Sequence, residues 1–385
     1  MYIYFKLISL FVYKSHVTCL QNLALFKMKK ILVFIFLICS SKIFYAQKNS
    51  VLAENIRAEY KIPELAYAVV SSDSILEIEV LGYQRNNSSF KAGIDDKFRL
   101  GSLTKTITSY IAALLVKEEK IKWDTKFFDL YPELKAKSNP NHFNLTLKDF
   151  LTFRAHIPTW SYGNETPTQK EIKGNDQQQR YEFIAWFFKQ KYLISEKQEV
   201  YLSNPSYVAA GLMLEKAAGK SYETLVKELG EKLGINFGFG QPNLIDENQP
   251  WGHDENLNPE KPALNYKLNW LSSAGNINVS LPDYCKFTQM QLKGLLGKSE
   301  VFSAQEFDLM HNGLPEFSFG WYSESYKDSG LKYSFHYGNP GTFLTKVYIC
   351  ASINKAFIIF ANVQSEQADK GIMLFLKKLQ TQYGG

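Results

Sequence analysis

Two residues three positions apart, Ser102 and Lys105, have the types and the spacing for nucleophilic chemistry. On a helix this spacing places both side chains on one face, one turn apart, so that the hydroxyl and the amine can meet. A serine hydroxyl is a weak nucleophile until a base removes its proton, and a lysine in a dry cleft has a lowered pKa and can act as that base. The pair therefore predicts a serine activated by a lysine, although Ser-x-x-Lys taken alone also occurs by chance in chains of this length.

The segment after Ser102 has the spacing of an α-helix, because its apolar residues recur at intervals of one helical turn: Ile107, Tyr110, Ile111, Leu114 and Leu115. This places Ser102 in the first turn, where unpaired backbone N–H groups and the positive end of the helix dipole favour a negatively charged oxygen. Upstream, residues 51–60 have helical spacing, and two strands are predicted over Ala66–Ser71 and Ile75–Gly82.

The rest of the chain divides into a helical region and a C-terminal group of strands. The helical region contains a capping box at Thr146, a helix stop at Gly219 and a cap at Ser221, with helices predicted over Asp176–Lys191, Pro205–Ala218 and Pro282–Leu296. Strands are predicted over Phe317–Ser323, Tyr333–Tyr337, Thr342–Ala351 and Ala356–Val363, before a closing helix. We therefore expect a single domain over 47–385, with a sheet region of about 51–120 and 315–385 and a helical region of about 121–300.

Two further stretches place polar residues and glycines where a Ser-Lys site needs partners, Tyr201-Leu202-Ser203-Asn204-Pro205 and His336-Tyr337-Gly338-Asn339-Pro340-Gly341. Each has a purely structural alternative. Asn204 before a proline is a good helix N-cap, and Gly338 with the following Pro-Gly favours a hairpin turn. Their combination with Ser102 and Lys105, in this order, favours the functional interpretation.

Together these motifs resemble those of the serine hydrolase family that contains class C β-lactamases, D-alanyl-D-alanine carboxypeptidases and related esterases. The resemblance extends over about residues 51–380. It includes five sequence motifs, in this order: Ser102-x-x-Lys105, Asn204 with Gly211 seven residues on, Ser273-Ala274-Gly275-Asn276-Ile277 ahead of Asp283, Phe319-Gly320-Trp321, and His336-x-Gly338. It implies an α/β (α+β) fold of the β-lactamase/transpeptidase type, in which an antiparallel sheet is flanked by helices and a helical subdomain is inserted.

The resemblance also implies a role for each side chain. Ser102 is the acylated nucleophile and Lys105 is its partner in proton transfer. Asn204 orients the substrate. His336 stands where relatives carry Lys or His in the third motif.

The oxyanion hole that the resemblance implies consists of two backbone N–H groups, that of Ser102 and that of Asn339, which follows Gly338. Such a site splits the hydrolysis of an amide or ester into acylation and deacylation. The implied partner is a small-molecule or peptide substrate, namely a small ester, a D-amino-acid peptide or a β-lactam, and no cofactor is implied. We expect esterase or peptidase activity over efficient β-lactam hydrolysis.

One departure from the family pattern concerns proton transfer. The second family motif is Tyr-x-Asn, and alignment on Asn204 places Leu202 at the tyrosine position, with Tyr201 as its neighbour. Adjacent residues of an extended segment point to opposite faces, so a β-bulge is needed to bring the Tyr201 phenol into the site. His156, in another segment that differs from its relatives, either lines the cleft entrance or lies in an exposed loop.

Two functions therefore stay open. The first is a secreted serine hydrolase that works through an acyl-enzyme. The second is a catalytically degenerate relative that keeps the fold and binds cell-wall peptide or a partner, and Leu202 is the feature that favours it. If the phenol is missing, His336 either transfers protons, with an ionisation near pH 6 to 7, or only binds the substrate.

The net charge of +6 comes from the start of the chain. Six lysines and no acidic residue precede Gln47, and removing these six from the 44 Lys and Arg leaves 38, equal to the 38 Asp and Glu. A near-neutral mature protein gives no reason to expect a nucleic-acid partner. The histidines show no metal-ligand spacing, and Cys285 and Cys350 are expected to be buried small apolar residues.

Residues 1–46 read as an upstream segment and a signal peptide. Met28-Lys29-Lys30 is a positive n-region, Ile31–Ile38 is a short apolar core, and a more polar stretch ends near Ala46. We expect translation to begin at Met28, cleavage near Ala46, and a secreted or periplasmic protein. The apolar core is shorter than the roughly 20 residues that span a bilayer, so no permanent membrane helix is expected. The oligomeric state is left open.

Overall fold

Both ends of the chain contribute to an antiparallel sheet of six strands. The computed structural model describes residues 48–190 and 199–384, so the predicted upstream segment and signal peptide lie outside the described residues. The strands are β1 (Glu64–Val70), β2 (Ile75–Gly82), β6 (Tyr322–Ser325), β7 (Lys332–Gly338), β8 (Leu344–Cys350) and β9 (Lys355–Ala361). They lie in the order β2-β1-β9-β8-β7-β6, and each neighbouring pair is antiparallel.

A second, smaller sheet pairs one strand from the stretch that leads to Ser102 with two short strands from the helical region. Its strands are β3 (Lys97–Arg99), β4 (Gly238–Phe239) and β5 (Ile277–Ser280), in the order β3-β5-β4. These strands were not predicted from the sequence, because two to four residues are too few for an alternating pattern to be recognised. β3 matters for function because it runs directly into the segment that carries Ser102.

Helices cover both faces of the large sheet. They are α1 (48–59), α2 (Thr104–Lys117), α3 (Phe127–Leu130), α4 (Pro132–Lys135), α5 (Leu147–Leu151), α6 (Asp176–Lys189), α7 (Asn204–Ala218), α8 (Tyr222–Leu233), α9 (Tyr266–Trp270), α10 (Ser272–Gly275), α11 (Leu281–Leu295), α12 (Ala304–Asn312) and α13 (Glu366–Gly384). Neighbouring positions of the sheet point to opposite faces. Thus Tyr67 packs on Phe375 of α13 at 4.9 Å, whereas Phe360 packs on Tyr284 of α11 at 5.4 Å. The predicted antiparallel sheet flanked by helices is confirmed.

Local signals in the sequence placed most helix ends correctly. The Thr146 side chain accepts a hydrogen bond from the Asp149 N–H in the predicted capping box, Gly219 ends α7 in the left-handed conformation, and Ser221 caps α8. The predicted strand Phe317–Ser323 is wrong over its first five residues. Ser318 donates from its N–H to the carbonyl of Trp321, so this stretch turns, and the strand begins only at Tyr322.

The described residues from Ala53 onward form one compact unit. Cys285 and Cys350 are free and buried, as predicted. Within 48–190 and 199–384, no helix combines the length and the apolar character needed to cross a membrane.

A buried pair of carboxyl groups ties β1 to the segment just before β3. The Glu64 side chain is fully buried and Asp96 is 4% exposed. Asp96 accepts hydrogen bonds from the Gln84 side-chain amide at 2.6 Å and from the Gly93 N–H at 2.7 Å. Burial raises the pKa of Glu64 well above its usual range, and the neighbouring Asp96 carboxyl raises it further. Glu64 is therefore the partner that carries the proton.

We expect Glu64→Gln to become more stable relative to wild type as the pH rises. Glu64 has a raised pKa in the folded state. Its contribution to the free energy of unfolding is therefore fully present below the ordinary pKa of 4.5 and is lost as the pH rises toward the folded-state pKa. A glutamine mimics the neutral acid and cannot ionise. Thermal unfolding of both proteins between pH 4 and 9 measures the effect, and a difference in Tm that does not change with pH would contradict it.

Candidate active site

Ser102 lies in a short 3-10 turn, Gly101–Leu103, between the end of β3 and the start of α2. The prediction of a first helical turn is therefore close, since the turn continues directly into the helix. Two hydrogen bonds of Leu100 fix the start of this turn. The Leu100 N–H donates to the carbonyl of Ile277 at 2.9 Å, and the Thr345 hydroxyl donates to the Leu100 carbonyl at 2.8 Å. The nucleophile thus lies where two sheets and a helix meet.

The amine of Lys105 lies beside the Ser102 hydroxyl. Nζ is 3.0 Å from Ser102 Oγ, 2.8 Å from Oδ1 of Asn204 and 2.7 Å from the carbonyl oxygen of Ala274. The side chain is 2% exposed. Removal from water disfavours the ammonium form and lowers the pKa of Lys105 to about 7.

The partners of Lys105 determine where a neutral amine would point its lone pair. The Asn204 oxygen and the Ala274 carbonyl can only accept hydrogen bonds, so they take the two hydrogens of a neutral amine. The third contact, the Ser102 hydroxyl, can donate. In the deprotonated state the lone pair therefore faces the hydroxyl hydrogen of Ser102, which is the arrangement that general-base activation requires.

Asn204 orients the lysine through both ends of its amide. It is the first residue of α7, and Ser203 takes the N-cap position, so the N-cap alternative for Asn204 is wrong. Its Oδ1 accepts from Lys105, and its Nδ2 donates to the carbonyl of Trp160 at 2.8 Å. One Nδ2 hydrogen remains for a substrate, so its role in substrate orientation stays a prediction.

The Ala274 carbonyl is positioned by close packing between α7 and α10. Gly211 of α7 has no β-carbon, and one placed there would overlap the Ser273 side chain. Ser273 donates its hydroxyl to the Tyr207 carbonyl at 2.9 Å, while its own carbonyl accepts from Thr108 of α2 at 2.7 Å. This packing explains why the glycine follows Asn204 at that spacing.

Asn339 comes close to the Ser102 turn at the end of β7. Gly338 lies against the backbone of Leu100, where a β-carbon would overlap the carbonyl oxygen. A β-carbon at Gly101 would lie 2.8 Å from the Asn339 nitrogen, so the two chain segments are in contact. The Asn339 N–H has no acceptor among the described residues, and it stays the predicted second donor of the oxyanion hole.

His336 is buried on the same face of β7 as Gly338, because residues two apart on a strand share a face. Its Nδ1 lies 2.7 Å from the backbone nitrogen and 2.8 Å from the carbonyl oxygen of Tyr337. Its Nε2 has no partner in the described parts of the chain. Burial, assisted by the positive charge of Lys105, lowers the pKa of His336 to about 3. This lowered pKa contradicts the predicted ionisation of His336 near pH 6 to 7, and the pKa of Lys105, about 7, makes the lysine the group expected to titrate there.

Neither Leu202 nor Tyr201 replaces the missing family tyrosine. Leu202 is 45% exposed, and the Tyr201 ring lies against His156 with the centroids 6.5 Å apart. Tyr201 makes no recorded contact with Ser102 or Lys105 in residues 48–190 and 199–384, so a bulge does not bring it into the cluster. His156 is neither fully exposed nor buried, and it has a positive φ of 52°.

Ala274 was not predicted as a partner of Lys105, because the contact is made by a backbone carbonyl. Trp160 and Trp270 are buried against each other and Phe183, so they pack the loops. Tyr162 instead borders the site, with its hydroxyl 3.4 Å from the Gly275 carbonyl.

Comparison with known proteins gives one family and a consistent set of folds. The family model described as Beta-lactamase matches residues 51–381. The protein Flp of Staphylococcus aureus (strain COL) is 20% identical over 333 residues, which cover 84% of this chain and 64% of that protein. The chain thus spans less than two thirds of the length of the Flp proteins that it matches.

Two solved structures have the same fold at low sequence identity. The octameric penicillin-binding protein homologue from Pyrococcus abyssi has a TM-score of 0.71 at 18% identity, covering 87% of this chain and 77% of that one. A class C beta-lactamase mutant has a TM-score of 0.70 at 16% identity, covering 87% of this chain and 97% of that one.

The titration of Lys105 predicts how the reactivity of Ser102 depends on pH. The rate at which a fluorophosphonate modifies Ser102 should rise with pH and level off above about pH 7, because the lone pair appears as Lys105 loses its proton. Lys105→Met should lower the plateau rate on the order of a hundredfold or more. His336→Gln should keep the same midpoint, and loss of the midpoint in that variant would identify His336 as the base instead.

Proposed function

The chain belongs to the beta-lactamase family, and from that premise we propose that it is a serine hydrolase that forms an acyl-enzyme through Ser102. The observation that carries the proposal is the 3.0 Å contact between Lys105 Nζ and Ser102 Oγ. It is supported by the depressed pKa of the lysine and by two fixed acceptors that direct its lone pair toward the hydroxyl.

Acylation follows from this geometry. The Ser102 oxygen attacks the carbonyl carbon of the substrate while its proton passes to Lys105 Nζ. The new ammonium is stabilised by Asn204 Oδ1 and the Ala274 carbonyl, which already accept its other hydrogens. Negative charge develops on the substrate oxygen, beside the N–H groups of Ser102 and Asn339. Collapse of this intermediate expels the leaving group, which takes a proton from Lys105.

His336 acts on the leaving group as a neutral hydrogen-bonding group in this proposal. In the tautomer in which Nδ1 accepts the Tyr337 N–H, the ring hydrogen is on Nε2, the nitrogen that lacks a partner in the described residues. An unpaired buried nitrogen favours a ligand that supplies an acceptor. Deacylation then repeats the first step with water as the nucleophile and Lys105 as the base.

The substrate class that this site favours is a small ester or a D-amino-acid peptide. Turnover of a β-lactam requires water to be activated against a stable acyl-enzyme, and neither Leu202 nor Tyr201 supplies a phenol beside Ser102 to assist in that step. We therefore expect esters and D-alanyl peptides to be turned over faster than β-lactams.

We also propose that the protein acts outside the cytoplasm, as a secreted or periplasmic enzyme, because residues 28–46 have the pattern of a signal peptide.

A second candidate function is binding of cell-wall peptide or a partner without turnover. The observation that favours it is the exposed Leu202 at the family tyrosine position, together with a Tyr201 ring that lies against His156. The two functions differ in one chemical event, which is acylation of Ser102.

Intact-mass spectrometry after exposure to an activated ester, a penicillin or a fluorophosphonate tests that event. We expect a covalent adduct on the wild-type protein and none on Ser102→Ala, since that variant lacks the attacking oxygen. Initial rates with p-nitrophenyl esters, D-alanyl peptides and nitrocefin then rank the substrate classes. Absence of an adduct with all three reagents would exclude the hydrolase and leave the binding function.

A further inference from the structure

A single carboxylate oxygen joins two chain segments that border Ser102. Oε2 of Glu260 accepts a hydrogen bond from Nη1 of Arg99 at 3.1 Å and another from the Thr342 hydroxyl at 2.5 Å. Glu260 comes from the loop that precedes α9, Arg99 is the last residue of β3, and Thr342 lies between β7 and β8. Three separate parts of the chain therefore meet at this oxygen.

The two joined segments carry the two donors of the proposed oxyanion hole. Arg99 lies three residues before Ser102, and Thr342 lies three residues after Asn339. Because each donor is a backbone N–H, its direction depends on the course of the chain around it and on no side-chain rotamer. A bond between the two flanking segments therefore fixes the donors relative to each other.

Tight backbone packing holds Glu260 and Thr342 in place. The Glu260 N–H donates to the Gly252 carbonyl at 2.7 Å, and the His253 N–H donates to the Thr342 carbonyl at 3.0 Å. A β-carbon at Gly252 would overlap the Thr342 side chain. The carboxylate and the hydroxyl are thus presented to each other by fixed backbone.

The hydrogen bond between Arg99 and Glu260 also joins opposite charges. The side chains of Arg99 and Glu260 are 3% and 28% exposed, so the pair is largely removed from water. A buried charge that loses its partner is strongly destabilised. Without the carboxylate, the guanidinium would shift toward other polar or aromatic contacts such as the Tyr162 ring, whose centroid is 5.9 Å from Arg99 Cζ. That shift would move the end of β3 and the turn that carries Ser102.

We propose that Glu260 is a positioning residue that holds the N–H groups of Ser102 and Asn339 at the spacing required by the oxyanion of the tetrahedral intermediate. This inference rests on the proposed hydrolase function. It assigns part of the rate of hydrolysis to the side chains of Arg99, Glu260 and Thr342, which touch no reacting atom. A misplacement on the order of 1 Å in an active site lowers rates by about a hundredfold. Loss of one oxyanion-hole donor has an effect of about that size or larger.

The proposal is tested with Glu260→Gln and Thr342→Val, an activated ester as substrate and an aryl boronic acid as probe. The boron atom bonds to Ser102 Oγ and becomes tetrahedral, so one of its oxygens occupies the oxyanion hole and its affinity reports on the two donors. We expect kcat and boronate affinity to fall together, by about tenfold to a hundredfold, while KM stays close to wild type. Thr342→Ser keeps the hydroxyl and should retain wild-type values.

Asp369→Asn is the control, since the Lys346–Asp369 pair is 2.7 Å long, its lysine side chain is 9% exposed, and Lys346 points to the face of β8 opposite to Thr345, which contacts the Ser102 turn. If Glu260 only stabilised the fold, Glu260→Gln and Asp369→Asn would lose kcat in proportion to their loss of Tm, and boronate affinity would not follow kcat. That result, or wild-type kcat and boronate affinity in Glu260→Gln and Thr342→Val, would overturn the proposal. A wild-type protein that forms no Ser102 adduct would overturn the hydrolase function itself, which distinguishes the two failures.

Discussion

The amine of Lys105 is enclosed by three oxygen atoms in a part of the protein that excludes water, and this burial governs the chemistry of the site. A fully solvated lysine would be protonated at neutral pH and would have no lone pair to offer. Desolvation brings its pKa to about 7, and the two acceptors that cannot donate, Asn204 Oδ1 and the Ala274 carbonyl, leave only the direction of Ser102 for the lone pair. The reactivity of the serine is therefore a consequence of packing.

That burial requires three helices to meet within a few ångströms of the Ser102 turn. The turn and α2 supply the serine and the lysine, α7 supplies the amide of Asn204, and α10 supplies a backbone carbonyl. The contact between α7 and α10 is close because Gly211 presents only backbone to Ser273. On the other side of the nucleophile, β7 reaches the same turn because Gly338 lies directly on the backbone of Leu100. Each side of the cleft thus depends on a glycine, Gly211 because the Ser273 side chain lies against it and Gly338 because the Leu100 carbonyl does.

Much of this arrangement can be predicted from residue types and spacing, because those signals are local. The Ser102–Lys105 contact follows from helical periodicity, and the antiparallel sheet built from both chain ends follows from the strand patterns and the family resemblance. Three features could not be predicted in this way. The Ala274 carbonyl carries no side-chain signal, the strands of the small sheet are too short to show alternation, and the neutral state of His336 depends on burial by distant segments. The last case reversed an expectation, since a pKa near neutral pH is expected of Lys105 and not of the histidine.

The reactivity of Ser102 requires that the pKa of Lys105 lie near neutral pH, so that a substantial fraction of the amine is neutral and can take the serine proton. The most direct measurement is an NMR titration of protein with labelled lysine side chains, in which the Lys105 signal is assigned by its absence from Lys105→Met. We expect a midpoint near pH 7. A midpoint near the ordinary value of 10.5 would contradict it, because the amine would then be charged and unable to take the proton of Ser102.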